Sequence, residues 1–320
     1  MRQSDERWPD PALVVAVLEA LNEIGLDWAV LHGESELARG RTRLDIDVIG
    51  DRNPMSVHRK LVPLLDSNGV HPVAIWEHEV GGAALFVLSG DLQSRVMLDL
   101  VHNPKGCWTY GMRTDRLLEE AIVGRRWPRV SRIDELLYLA CKRAAKSDYV
   151  RFARVAASIH KIGVHRARQR ALEVFRDERR ADLLVHAIQR QEDNGLPPAR
   201  HPLAFRLRTG LRHSRRLRAP TGFWIHLNAA TDAEARRLFV PLRNVLPRVR
   251  FVQLQGGWAA RQRAWLRDIA SIRWRAGLVL SIGERPVLGN PDLVATADRL
   301  GPEDVVRAMV ARTSRRLGIG

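Results

Sequence analysis

Residues 33–48 read Gly-Glu-Ser-Glu-Leu-Ala-Arg-Gly-Arg-Thr-Arg-Leu-Asp-Ile-Asp-Val, and the last five positions alternate apolar Leu44, Ile46 and Val48 with Asp45 and Asp47. Strict alternation is the period of a half-buried strand. Both carboxylates then share one face, about 6.6 Å apart at Cα. Like charges held that close resist ionising together unless a cation sits between them, and hard divalent ions take such oxygen ligands. Upstream, residues 26–31 predict a first strand ending at Gly33-Glu34-Ser35. A glycine turn there brings backbone N–H groups toward a phosphate.

Farther along, Arg95-Val-Met-Leu-Asp-Leu-Val-His102 is a nearly continuous apolar run with Asp99 at its centre. A buried carboxylate without a partner is destabilising or loses its charge, so a metal or a positive group is expected beside it. A Gly-Ser turn, a hydrophobic-flanked Asp-x-Asp and a lone Asp on a later strand resemble the nucleotidyltransferase superfamily of the DNA polymerase β type. The resemblance covers the opening third of the chain and departs at Glu34, where a small residue is usual. It implies transfer of a nucleoside monophosphate from a nucleoside triphosphate to an acceptor hydroxyl or amine, with pyrophosphate leaving. In that scheme Asp45 and Asp47 hold Mg²⁺ (or Mn²⁺) against the triphosphate, and Asp99 ligates a second ion and helps deprotonate the acceptor. Gly33 and Ser35 hold the β and γ phosphates. The alternative is a catalytically inactive scaffold that binds a nucleotide or a partner without turnover. Replacing Asp47 by Asn is expected to abolish activity and leave the fold intact or firmer, through relief of carboxylate repulsion.

The 320 residues suffice for two domains. Asp10-Pro11 opens a helix over 11–24 and Pro54 a second one ending near 68–69, while strands are expected at 73–76, 83–88 and 96–101, with a hairpin turn at Gly81-Gly82. The predicted fold class is α/β, with an α+β first half: residues 1–128 form a mixed sheet carrying helices on one face. Ser131-Arg132-Ile133-Asp134 reads as a capping box opening a helical segment over 129–193. Residues 194–219 form a basic linker, free of acidic side chains from Asn194 to Thr231, that offers contact to a polyanion or nucleic acid. Residues 220–320 alternate strands (223–227, 249–254, 278–282) with helices (232–245, 258–273, 302–317), the pattern of a parallel sheet.

Joined in this order, the two halves resemble bacterial proteins whose second half is a thymidylate-kinase-like P-loop domain. The residues after Leu227 nevertheless hold neither the glycines nor the lysine of a P-loop, and no lysine follows Lys161. This unit is therefore expected to be a degenerate, non-phosphorylating domain. The formal charge of +16 favours anionic partners. Two cysteines without metal-type spacing suit a reducing cytoplasm, and no stretch reads as a membrane span.

Overall fold

The computed structural model describes residues 10–39, 45–79, 81–102, 112–145, 148–190, 207, 210–211, 221–228, 231–246, 248–255, 257–270, 277–283, 290–296 and 299–319. Most of the expected basic linker, and Leu44 ahead of the Asp-x-Asp, lie outside these residues. The protein is a mixed α/β molecule with one seven-stranded mixed sheet and one four-stranded parallel sheet.

The first helix, α1 (Pro11–Glu23), starts where Asp10 accepts the Ala12 N–H at 2.9 Å, and Gly25 follows its C-cap at φ +63°. Strand β1 (Trp28–Val30) leads to the short α2 (Glu34–Leu37), then to β2 (Asp45–Gly50) and α3 (Pro54–Ser67), the last capped by Asn53. Strands β3 (His71–Glu79), β4 (Gly82–Leu88) and β5 (Arg95–Val101) follow, then α4 (Thr114–Glu119) and a small hairpin of β6 (Ile122–Val123) and β7 (Pro128–Arg129). Their spatial order is β3-β4-β5-β2-β1-β7-β6. Alternation places Ile46, Val48, Leu98 and Leu100 on the face covered by α1 and α3, where all four are buried.

The other face has two covers. Ala29, Leu31, Ile49 and Val101 pack against a bundle of α5 (Arg132–Ala145), α6 (Tyr149–Ile162), α7 (Val164–Val174) and α8 (Glu178–Arg190). The bundle is pinned by Arg170, whose guanidinium reaches buried Asp134 at 2.8 and 2.9 Å, Glu120 at 2.6 Å and Glu173 at 2.9 Å. Phe86 and Leu88, at the far end of the sheet, pack instead against the C-terminal unit.

That unit comprises β8 (Phe223–Asn228), α9 (Asp232–Val245), β9 (Val249–Leu254), α10 (Trp258–Ala264, continued by π-type turns through Trp265–Ala270), β10 (Leu278–Gly283), β11 (Leu293–Thr296) and α11 (Pro302–Leu317). Its strand order is β11-β8-β10-β9, all parallel. The last helix returns to the first sheet. Edge strand β3 leaves carbonyls without a strand partner, and α11 satisfies two of them: Thr313 donates to Val73 O and Arg316 to Ile75 O, both at 3.0 Å. Arg59 of α3 donates back to Leu317 O at 2.8 Å, and the Leu317 side chain enters the α1/α3 core. No helix among the described residues is long and apolar enough to cross a membrane.

Candidate functional site

Parallel pairing of β2 with β5 sets Asp47 directly beside Asp99 and Asp45 beside Met97. Register-matched residues on neighbouring strands point to the same face, so all three aspartates share the face opposite α1 and α3. They do not have the same surroundings. Asp45 is exposed at the start of β2, Asp47 is buried, and Asp99 is partly open to solvent.

Asp47 is held by two groups. His32 Nε2 lies 2.5 Å from its Oδ2, and Lys142 of α5 makes an ion pair with the same oxygen. Burial pushes this carboxyl up, but the His32 hydrogen bond and the Lys142 charge outweigh that and hold it well below the usual carboxylate range. An ionised carboxylate only accepts, so His32 Nε2 carries the proton that it donates. Tyr138, one turn before Lys142, stacks on His32 with ring centroids 6.1 Å apart and lies 5.3 Å below the Lys142 ammonium. These contacts reverse the expected effect of Asp47→Asn on stability: the substitution removes two attractive partners, which outweighs any relief of repulsion.

Asp99 has its own histidine. His78 of β3 reaches across β4 to place Nε2 2.6 Å from Asp99 Oδ1. The residue opposite Asp99 on the intervening strand is Ala84, small enough to leave that path open. The carboxylate row is thus two His–Asp pairs side by side, with a lysine on the buried one. Among the described residues no three His, Cys, Asp or Glu side chains gather into a ready-made cage for a metal. The donor set still fits a hard divalent ion in kind, because adjacent carboxylates on one face supply oxygen ligands and need positive charge between them.

The glycine turn follows β1. Gly33 sits at φ +81° as the N-cap of α2, a conformation that side chains rarely adopt, and its N–H donates to Glu135 Oε1 at 3.3 Å. Gly33 and exposed Ser35 line a cavity of about 670 Å³ together with His32, which links it to Asp47. Glu34, where the sequence departs from the resemblance, is hydrogen-bonded to the β6–β7 hairpin. Its side chain is buried and its Oε1 accepts the N–H groups of Arg126 at 3.0 Å and Trp127 at 3.4 Å in the β6–β7 turn. It therefore serves as a structural acceptor for the hairpin while also lining the cavity.

At the corresponding turn of the second sheet, after β8, Thr231 and Glu234 form a closed capping box: Glu234 Oε2 accepts the Thr231 N–H at 2.8 Å, and Thr231 Oγ1 accepts the Glu234 N–H at 3.3 Å. With Asp232 also in the first turn of α9, this helix start carries carboxylates where a P-loop presents bare N–H groups.

Lys142, Tyr138 and His78 are not legible from the sequence as neighbours of the carboxylate row. Lys142 is one of only five lysines in the chain, a rarity that marks it, yet its helical spacing does not say which strand it meets. No family model matches the sequence, and no curated protein matches it.

Proposed function

We propose that the chain is a metal-dependent nucleotidyltransferase that moves a nucleoside monophosphate from a nucleoside triphosphate to an acceptor hydroxyl or amine. The observation that carries this reading is the pairing of Asp47 with Asp99 on one face of the sheet, one strand away from a glycine turn that opens on a cavity. Asp47 and Asp99, with Asp45 ahead of them, are the residues to hold Mg²⁺ or Mn²⁺. A bound ion there would offset the triphosphate's charge and ease departure of pyrophosphate. Lys142 and His32 would then yield Asp47, and the lysine would be free to meet phosphate oxygens. Asp99 is the more accessible carboxylate and suits acceptance of the acceptor's proton as its oxygen or nitrogen bonds to the α phosphorus and the α–β bridge breaks.

A panel of nucleoside triphosphates with Mg²⁺ or Mn²⁺, read by mass spectrometry for nucleotidylated products and pyrophosphate, tests the proposal. Metal-dependent product lost in Asp47→Asn supports it. A second reading, a non-catalytic nucleotide-binding scaffold, draws on the Lys142–Asp47 ion pair and on the Gly33 N–H already donated to Glu135. Nucleotide-induced thermal stabilisation with no product would favour that reading.

A further inference from the structure

One helix of the C-terminal unit carries large apolar side chains on its outside. On α10 and its π-type continuation, Trp258 is 58% exposed and Leu266 is 60% exposed. Their spacing is a little over two helical turns, so the two project from the same side. Ala259, Arg263 and Arg267 are exposed alongside them. The inward side is mixed. Ile269 and Trp265 join Trp224, Val252 and Val279 of the sheet in one apolar cluster, but Gln262 is buried with neither its amide nitrogen nor its amide oxygen hydrogen-bonded. Burying an unpaired amide opposes the seat that holds it. One turn apart, the amide is inside and the leucine outside, the reverse of ordinary amphipathicity.

The charge around this face has one sign. No Asp or Glu occurs from Ala235 to Arg267, and eight arginines do. An exposed tryptophan and leucine flanked by arginines on a short helix are the parts of an interfacial anchor. The apolar pair enters the boundary between headgroups and acyl chains, while the guanidinium groups stay among anionic headgroups. Leucine has no ring for a base to stack on, so the pair suits acyl chains better than a nucleic acid. Seven α-helical residues followed by six in π-type turns are too few to cross a bilayer, so this stretch would lie along its surface.

We infer that the outer face of α10 docks the protein on an anionic lipid bilayer, with Trp258 and Leu266 inserted and Arg263 and Arg267 against the headgroups. This surface belongs to the four-stranded sheet and is independent of the nucleotidyl-transfer reading of the first sheet.

The test is cosedimentation of the full chain with vesicles of phosphatidylcholine alone and of phosphatidylcholine mixed with phosphatidylglycerol. A chain of charge +16 is drawn to any anionic surface, so the decisive variant removes no charge: Trp258→Ala with Leu266→Ala. Its control is Val240→Ala, which trims a side chain of similar exposure, 56%, on α9, the helix that covers the opposite face of the same sheet. The expected result is binding to the mixed vesicles only, with partitioning on the order of tenfold weaker in the double variant and unchanged in Val240→Ala. Arg263→Gln with Arg267→Gln should weaken it by about tenfold as well. All four of these α10 side chains are exposed, and circular dichroism checks that the variants keep their fold. Equal partitioning of wild type and the Trp258/Leu266 variant would overturn the docking surface and leave only the general attraction of a polycation. Absence of binding to the mixed vesicles would overturn it too. Binding of heparin or RNA with the same dependence on Trp258 and Leu266 would remove the bilayer as occupant and put a polyanion in its place.

Discussion

The two sheets use the same local device, a strand followed by a turn and a helix, to opposite ends. After β1 the turn at Gly33 opens on a cavity walled by arginines, and its acidic neighbour Glu34 is drawn inward to hold a hairpin. After β8 the turn at Thr231 is closed on itself by Glu234 and carries a second carboxylate at Asp232. A helix start attracts phosphate through unsatisfied N–H groups and a positive dipole end. Where the chain's own carboxylates fill that role, an incoming anion meets repulsion instead. Both helix starts carry carboxylates, Glu34 and Glu36 in α2 and Asp232 and Glu234 in α9, so the contrast lies in what they hold: Glu234 closes on its own cap, whereas Glu34 holds the hairpin that walls the cavity.

The sharpest way to break this contrast is Asp47→Asn. If the first sheet carries the chemistry, product formation falls on the order of a thousandfold. Chemical denaturation should also show lower stability, since Lys142 and His32 lose their shared partner. Next comes Arg170→Ala, which strands the fully buried Asp134 and should cost about 3–5 kcal/mol in urea unfolding. It tests whether the bundle that delivers Lys142 and Glu135 to the first sheet depends on this one cation.

Acid should affect the first sheet through His58, buried on α3 with Nε2 3.1 Å from Ala83 O and held down to about 4 by burial. The unfolded chain takes up this proton near pH 6.5 and the folded chain only near pH 4, so the unfolded state binds more protons between them. Stability is therefore complete above pH 6.5 and declines as pH falls, by about 3 kcal/mol at pH 4. His58→Gln, which does not titrate, should flatten that part of the profile in matched unfolding curves. Glu34→Ala leaves the Arg126 and Trp127 N–H groups unpaired and should cost about 1–3 kcal/mol in urea unfolding. The smallest effect belongs to the second turn: Thr231→Ala should cost about 1 kcal/mol and leave nucleotide binding unchanged. A large loss of nucleotide affinity in that variant would erase the distinction between the two turns.

Much of the fold is legible because it is local. Alternation at Ile46 and Val48, the Asp10-Pro11 and Asn53-Pro54 helix starts and the Ser131/Asp134 cap each fix an element within a few residues. The pairing partner of β2 is not local. Asp47 meets Asp99 across 52 positions, and only the strand order, set by the packing of the whole sheet, makes them neighbours. Lys142 and His78 escape for the same reason: helical or strand periodicity says that a residue faces inward without saying what it will face. Short elements such as α2, β6 and β7 carry too few residues for any period to show. Residues 302–317 are the clearest case, since their pattern announces a helix with one apolar side but not that this side is shared between its own sheet and the edge of another.

That last contact bears on how the protein is made. Synthesis delivers the first sheet early, and domains generally fold as they leave the ribosome. Here the open edge of β3 stays uncovered until α11 has emerged, because Thr313 and Arg316 are the groups that close it. A nascent or prematurely terminated chain carries an unpaired strand edge next to a finished core, the kind of surface on which two copies pair with each other. The turns of α11 thus act as a quality seal on a strand made 240 residues earlier, and their loss would be felt at that strand's edge.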